Sequence, residues 1–183
     1  MLWPNCPMNL PNFLRRRYRR GIRSMKNRVY LVQHGQAKDK EEDAERPLTP
    51  EGRRQTARIA ELAARLDLGV AEIWHSGKTR AAETAAIFGS ALGLMNLEKK
   101  SVLAVEGLNP TDNVKPVANG LAGETRSMML VGHLPFMPRL AGQMINHDAE
   151  KSPVEFQHSG IICLVREATG WRVDWQLNPG NSA

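Results

Sequence analysis

Cysteine is scarce in this sequence, with only Cys6 and Cys163 among 183 residues. Cys163 lies inside the apolar run 161–165, and no cysteine or histidine pair has the spacing of a zinc site. Two isolated cysteines exclude a disulfide framework, and the pattern predicts that the protein needs no metal or other cofactor. The simplest location for such a protein is the reducing cytoplasm.

Long apolar runs are also lacking, which argues against a secretory segment and against a membrane span. Acidic residues are missing from 1–24, a stretch that contains three prolines and then six arginines. We interpret 1–24 as a disordered basic tail. One hypothesis is that it contacts RNA, anionic lipid or an acidic partner. The favoured alternative is a mis-assigned start, with Met25 as the true first residue.

The net charge of +6 comes entirely from that tail, because removing its six arginines leaves 19 basic and 19 acidic residues. A nucleic-acid-binding domain carries its positive charge on the folded surface. The distribution therefore argues against nucleic acid as a partner of the remaining chain, 25–183. Its 42% hydrophobic and 24% charged composition, measured over the whole sequence, is typical of one globular domain.

Short apolar runs alternate with stretches of helical periodicity from residue 29 onward. Thr49-Pro50-Glu51 is typical of a helix start, with a capping side chain, a proline at the first position and an early acid. Strands are predicted at 29–32, 70–74, 101–105 and 128–131, and helices at 50–68, 78–92, 113–121 and 135–145. The order predicts an α/β fold with three layers and a mostly parallel sheet.

Two further strands, 160–166 and 171–177, flank the turn 168–170 and are predicted to form a hairpin at the end of the sheet. Trp171 and Trp175 are four residues apart, so strict alternation places them on one face of the second strand. We expect both rings to belong to the core or to a pocket wall.

Three chemically active side chains follow predicted strands: His34, Arg80 and His133. Parallel strands end at one edge of a sheet, so we expect these side chains to share a pocket there. A neutral imidazole is a competent nucleophile toward phosphorus, and cationic donors around it stabilise the charge on a transferring phosphoryl group. The remaining histidines include His147 and His158, in polar loops, which we interpret as solvated or structural.

The motifs around these three residues occur in a specific order and spacing. They are Val32-Gln33-His34-Gly35, Arg46-Pro47-Leu48-Thr49-Pro50-Glu51-Gly52, Ser76-x-x-x-Arg80-Ala81-x-Glu83-Thr84-Ala85, Gly132-His133 and Trp171-Arg172-x-x-Trp175-x-Leu177-x-Pro179. With them the chain resembles the phosphoglycerate mutase-like histidine phosphatase superfamily, and within it the SixA-type phosphohistidine phosphatases. The resemblance covers 28–179.

The resemblance implies that His34 attacks phosphorus and becomes phosphorylated, while Arg80 and His133 hold phosphate oxygens from two sides. Water then hydrolyses the phosphohistidine. Gly35 and Ser76, inside the matching motifs, are expected to line the substrate site.

Gln33 departs from the family, which has arginine immediately before the nucleophilic histidine. A charged hydrogen bond is worth about 1.5–3 kcal/mol, or roughly ten- to a hundred-fold in rate if it forms only in the transition state. We therefore expect Gln33 to bind substrate more weakly than arginine would. Arg46 supplies the lost charge if its loop folds over the site, which is a hypothesis for the structure.

Glu106 and Asp112 are the candidate general acids, although neither falls in a recognisable motif. An imidazole leaving group needs less protonation than an alkoxide, which favours protein phosphohistidine as the substrate. Two alternatives stay open: a small-molecule phosphomonoesterase, and a non-catalytic phosphate-binding regulatory module in which Gln33 has abolished turnover.

Overall fold

A computed structural model describes residues 28–95 and 101–181. The predicted tail 1–24 lies outside these residues. The described elements alternate in the order that the sequence predicts. They are β1 (Arg28–Gln33), α1 (Pro50–Arg65), β2 (Val70–His75), α2 (Thr79–Ala91), β3 (Val102–Ala104), α3 (Val114–Gly123), β4 (Ser127–Gly132), α4 (Phe136–Asn146), β5 (Ile161–Glu167), β6 (Gly170–Leu177) and a short 3₁₀ turn, Pro179–Asn181.

The six strands form one sheet in the order β3-β2-β4-β1-β5-β6. The first four are mutually parallel, whereas β5 is antiparallel to β1 and to β6. This confirms the predicted α/β class with a mostly parallel sheet. The carboxyl ends of β1, β2, β3 and β4 therefore share one edge, and the antiparallel β5 begins there.

Helices cover both faces of the sheet and give three layers. Alternating residues of β1 divide between two cores: Tyr30 faces α1 and α2, whereas Leu31 faces α3 and α4. Both side chains are completely buried. A fully covered strand of this kind reads as a continuous apolar run, which is why the sequence identifies β1 and β4 so readily.

The first helix begins as predicted, because the hydroxyl of Thr49 accepts a hydrogen bond of 2.9 Å from the Gly52 backbone N–H. Gly52 also lies against the loop that follows β1, where an added Cβ would come within 2.1 Å of the Gln36 carbonyl oxygen. The start of α1 is thereby packed directly against the end of β1. None of the helices in the described ranges is long and apolar enough to cross a membrane.

The expectation that Trp171 and Trp175 share a face is wrong. Trp175 packs with the α1 and α2 core, 5.9 Å from the Tyr30 ring between centroids, whereas Trp171 packs on the α3 and α4 side. The cause is a β-bulge: Cys163 pairs with Trp175, but Leu164 pairs with Val173. One extra residue in β6 reverses the alternation of side chains beyond it.

Candidate active site

Three predicted site residues lie together at the carboxyl edge of the sheet. His34 follows β1, His133 follows β4 and Arg80 lies in the first turn of α2. The Arg80 Nε is 3.2 Å from His34 Nε2, and the His34 and His133 ring centroids are 5.0 Å apart. The structure thus brings together side chains that are up to 99 residues apart in the sequence.

The orientation of the His34 ring identifies its free nitrogen. His34 Nδ1 lies 2.7 Å from the Gly35 carbonyl oxygen, which only accepts hydrogen bonds, so Nδ1 carries the proton. Nε2 therefore keeps its lone pair, and the Arg80 Nε–H donates to it. Burial, opposed by the Gly35 hydrogen bond, lowers the pKa of His34 to about 4, with further lowering by the charges of Arg80, His158 and Arg46. At neutral pH the ring is an uncharged base.

His133 is held neutral in the same way. Burial is the largest cause, followed by the charges of His34, Arg80, Lys78 and Arg46, and together they lower the pKa of His133 to about 3. Its Nε2 is 2.6 Å from the Ser76 Oγ. Of these neighbours, Arg80, Lys78 and Arg46 are positively charged at neutral pH, and positive charge of this kind favours an anion beside the ring.

Hydrogen bonds through the Thr84 hydroxyl join the end of β1 to α2. The Gly35 N–H donates to the Thr84 hydroxyl over 3.0 Å, and that hydroxyl donates to the Arg80 carbonyl oxygen over 2.7 Å. An added Cβ on Gly35 would lie 2.5 Å from the Thr56 Oγ1. Glycine is required here because of this close approach, and the Gly35 carbonyl orients the His34 ring.

Arg46 belongs to the loop 36–49, which hydrogen bonds hold beside the site and which we call the pinned loop. Lys38 N–H donates to the Pro47 carbonyl oxygen over 2.8 Å, and Leu48 N–H donates to the Glu83 carboxylate over 2.7 Å. The Arg46 Nε donates to the Lys38 carbonyl oxygen over 3.1 Å. The pKa of Arg80 is lowered by burial and then by the charge of Arg46.

Gln33 is 6% exposed, and its Oε1 has no hydrogen-bond partner. At the other end of the amide, Gln33 Nε2 is 3.1 Å from His158 Nδ1. His158 Nδ1 also lies 2.9 Å from the His34 carbonyl oxygen, and the two rings are 5.4 Å apart between centroids. His158, interpreted from the sequence as solvated or structural, is exposed, and it also adjoins Gln33 and His34.

The two candidate acids line a different cavity at the same edge of the sheet. Glu106 and Asp112 line a cavity of about 750 Å³ beside Trp74 and the start of α3. The Asp112 carboxylate accepts the Asn109 N–H over 2.8 Å, which shapes the loop before α3. His34, Arg80 and His133 are not among the residues that line this cavity, so the acid role remains a prediction. No group of three metal-ligating side chains occurs within 28–95 or 101–181.

Comparisons with known proteins agree with this geometry. The family model of the histidine phosphatase superfamily (branch 1) matches residues 29–104, which include His34 and Arg80. The fold of the whole domain matches that superfamily as well. The chain is thus similar to the histidine phosphatase superfamily in sequence over 29–104 and in fold over the described domain. No curated protein sequence matches it.

Solved structures extend the match across the sheet. The protein histidine phosphatase SixA complexed with tungstate superposes with a TM-score of 0.73 at 24% identity, covering 85% of this chain and 99% of that one. A protein of Agrobacterium tumefaciens assigned as SixA gives 0.66 at 26% identity, with coverages of 85% and 100%. A mycobacterial glucosyl-3-phosphoglycerate phosphatase gives 0.62 at 16% identity, with coverages of 84% and 100%.

Proposed function

We propose that this phosphatase hydrolyses phosphohistidine on a protein, through a phosphorylated intermediate on His34. The orientation of His34 carries the proposal. Its Nδ1–H is engaged by the Gly35 carbonyl, which leaves the Nε2 lone pair among basic groups and 3.2 Å from the Arg80 Nε. A neutral, oriented imidazole next to a guanidinium has the chemistry of a phosphoryl acceptor.

The reaction has two steps. In the first, His34 Nε2 forms a bond to phosphorus while the bond between phosphorus and the substrate's imidazole nitrogen breaks, and that nitrogen takes a proton from solvent. In the second, water attacks phosphorus, the electron pair returns to Nε2, and inorganic phosphate leaves. The Gly35 carbonyl stabilises the positive charge that the His34 ring carries between the steps.

Arg80 stabilises the charge on the phosphoryl oxygens during both steps. Its Nε–H points at the nucleophilic nitrogen, so an incoming phosphoryl group displaces this contact and takes the donor over. Guanidinium groups bind phosphate oxygens in pairs, and they stay charged throughout. The charge of Arg46 lowers the pKa values of His34, Arg80 and His133, and Arg46 adds the second positive charge.

The preference for a phosphohistidine substrate is supported by the placement of the acids. Glu106 and Asp112 line a cavity next to Trp74, and no carboxylate contacts His34 among the described residues. An alkoxide leaving group requires a proton donor in the transition state, whereas an imidazole picks up its proton more readily. A site of this composition therefore favours cleavage of a P–N bond over a P–O bond.

Access to the site supports a protein substrate. The segments at this edge are the pinned loop 36–49, the short connections 76–78 and 133–135, the loop 105–113 after β3 and the segment 147–160 before β5. Leu134, immediately after His133, is 46% exposed. A phosphorylated side chain on another protein requires this kind of open approach, because its backbone has to stay outside the pocket.

The test is phosphate release from a small carrier protein phosphorylated on histidine, compared with release from an aryl phosphate. We expect a higher kcat/KM for the carrier protein, and loss of release in His34→Asn. The matched control is His147→Asn, since His147 is an exposed helix-terminal residue with φ 56° and asparagine tolerates that conformation.

The outcomes separate three functions. A preference for the carrier protein that depends on His34 supports the proposal. A preference for free phosphate esters would make the chain a small-molecule phosphomonoesterase. Phosphate binding without release from any substrate would make it a phosphate-binding regulatory module.

A further inference from the structure

The Gln33 side chain is buried with one of its polar atoms unpaired. It is 94% buried, as its exposure of 6% shows, yet one end of its amide has no partner. Three buried side-chain atoms lack a partner within the described ranges, and two of them, Gln33 Oε1 and His133 Nδ1, belong to residues at the catalytic edge. An unpaired buried polar atom costs free energy unless a ligand satisfies it.

His158 determines which way the Gln33 amide must face. Its Nδ1 is 2.9 Å from the His34 carbonyl oxygen, and because a carbonyl only accepts, Nδ1 carries a proton. The same Nδ1 is 3.1 Å from Gln33 Nε2, so two donors face each other in this orientation. The two ends of a glutamine amide have nearly the same shape, and a half-turn of the amide removes the conflict.

The half-turn has a chemical consequence. The Gln33 oxygen then shares the single Nδ1–H of His158 with the His34 carbonyl oxygen, and the NH₂ group occupies the position that now lacks a partner. A buried NH₂ group next to the nucleophile, in a pocket of basic side chains, is satisfied by an anionic oxygen. We propose that His158 is a positioning residue that holds the Gln33 amide with its NH₂ toward a phosphoryl oxygen.

The Gln33–His158 pair thus replaces, with a neutral donor, the arginine that the family places before the nucleophile. This inference rests on the proposed phosphoryl site, although it concerns binding and does not require turnover. His158 lies at the same edge because β5 runs antiparallel to β1 and begins where β1 ends. The backbone joins them as well, since the Ser159 N–H donates to the Gln33 carbonyl oxygen over 3.0 Å.

The test is the dissociation constant of inorganic phosphate for the full chain and its variants. Loss of one neutral hydrogen bond weakens binding by about two- to tenfold, so we expect that change in His158→Ala. His158→Asn keeps an N–H donor close to the position of Nδ1 and should restore binding to within about twofold. In a Gln33→Leu background, His158→Ala should have no further effect, because the amide that it orients is gone.

Gln157→Ala is the matched control, since Gln157 is an exposed neighbour in the same loop. Its phosphate affinity should equal that of the wild type, and thermal unfolding of every variant reports on folding. Equal affinity in His158→Ala and the wild type would overturn the proposal. So would an undiminished loss in the Gln33→Leu background, or a failure of His158→Asn to restore binding.

A further result distinguishes the two proposals. If the wild type releases no phosphate from any substrate but shows this pattern of affinities, the positioning role of His158 stands and the proposed phosphatase reaction fails. If the wild type releases phosphate and His158→Ala binds and turns over normally, the reaction stands and the positioning role fails.

Discussion

Two polar regions at the carboxyl edge of the sheet differ in the origin of their contacts. Around His34, hydrogen bonds join side chains from β1, α2 and the segment before β5, and the charges that act on the ring are basic. In the cavity after β3, Asp112 bonds within its own loop and Glu106 is exposed. The first region is assembled by tertiary contacts among basic groups, whereas the second is formed locally and includes two carboxylates.

We therefore expect the rate of phosphate release to depend on the region around His34 and very little on the cavity after β3. Substitutions that change charge around His34 should therefore alter turnover strongly. The same kind of change in the cavity should leave turnover almost unaffected.

The largest effect is expected for Arg80→Ala. Removal of one preorganised donor to a charged transition state costs about 100- to 1,000-fold in kcat. Steady-state phosphate release measures this loss. Arg65→Ala is the control, because Arg65 is exposed at the far end of α1 and should leave kcat unchanged. Equal kcat in the two variants would remove Arg80 from the reaction.

Gln33→Arg should change activity in the opposite direction. A charged donor in place of the amide strengthens binding of the transition state, and we expect kcat/KM to rise by roughly ten- to a hundred-fold. Gln33→Leu, which removes the donor, should lower kcat/KM. If both variants lose activity equally, Gln33 contributes through packing and does not contact phosphate.

Arg46→Ala tests whether the pinned loop contributes to the first region. Its guanidinium is partly exposed and therefore screened, so the expected loss of phosphate affinity is about two- to fivefold. Isothermal titration with inorganic phosphate measures the loss. A loss no larger than that of Arg65→Ala would show that the loop does not supply the missing charge.

Glu106→Gln should have the smallest effect, below about twofold in kcat, because Glu106 lines a cavity that none of the reacting residues lines. The comparison of a carrier-protein substrate with an aryl phosphate sharpens the test, since only the ester needs a strong proton donor. A large loss confined to the aryl phosphate would restore Glu106 as a general acid for esters.

Much of this architecture follows from the sequence. The buried parallel strands are apolar runs, the Thr49 cap is a local signal, and the edge that gathers His34, Arg80 and His133 follows from strand direction. These features depend on short-range sequence patterns and on the rule that parallel strands end at the same edge of a sheet. The α/β class and the grouping of His34, Arg80 and His133 were therefore predictable.

Other features depend on contacts that no local pattern encodes. The bulge in β6 that separates Trp171 from Trp175 is a single extra residue, invisible to an alternation rule. His158 joins His34 across 124 residues, and only its place before an antiparallel strand adjoining β1 could have indicated it. The predicted cytoplasmic location and the basic tail 1–24 stay predictions.

The most direct test is to identify the phosphorylated residue during turnover. Wild-type protein mixed with histidine-phosphorylated carrier protein and quenched within milliseconds under alkaline conditions should carry one phosphoryl group, which mass spectrometry places on His34. The label should disappear as inorganic phosphate forms, and it should be absent from His34→Asn. Phosphate release at the wild-type rate by His34→Asn, or a phosphoryl group on any other residue, would contradict the assignment of His34 as the nucleophile.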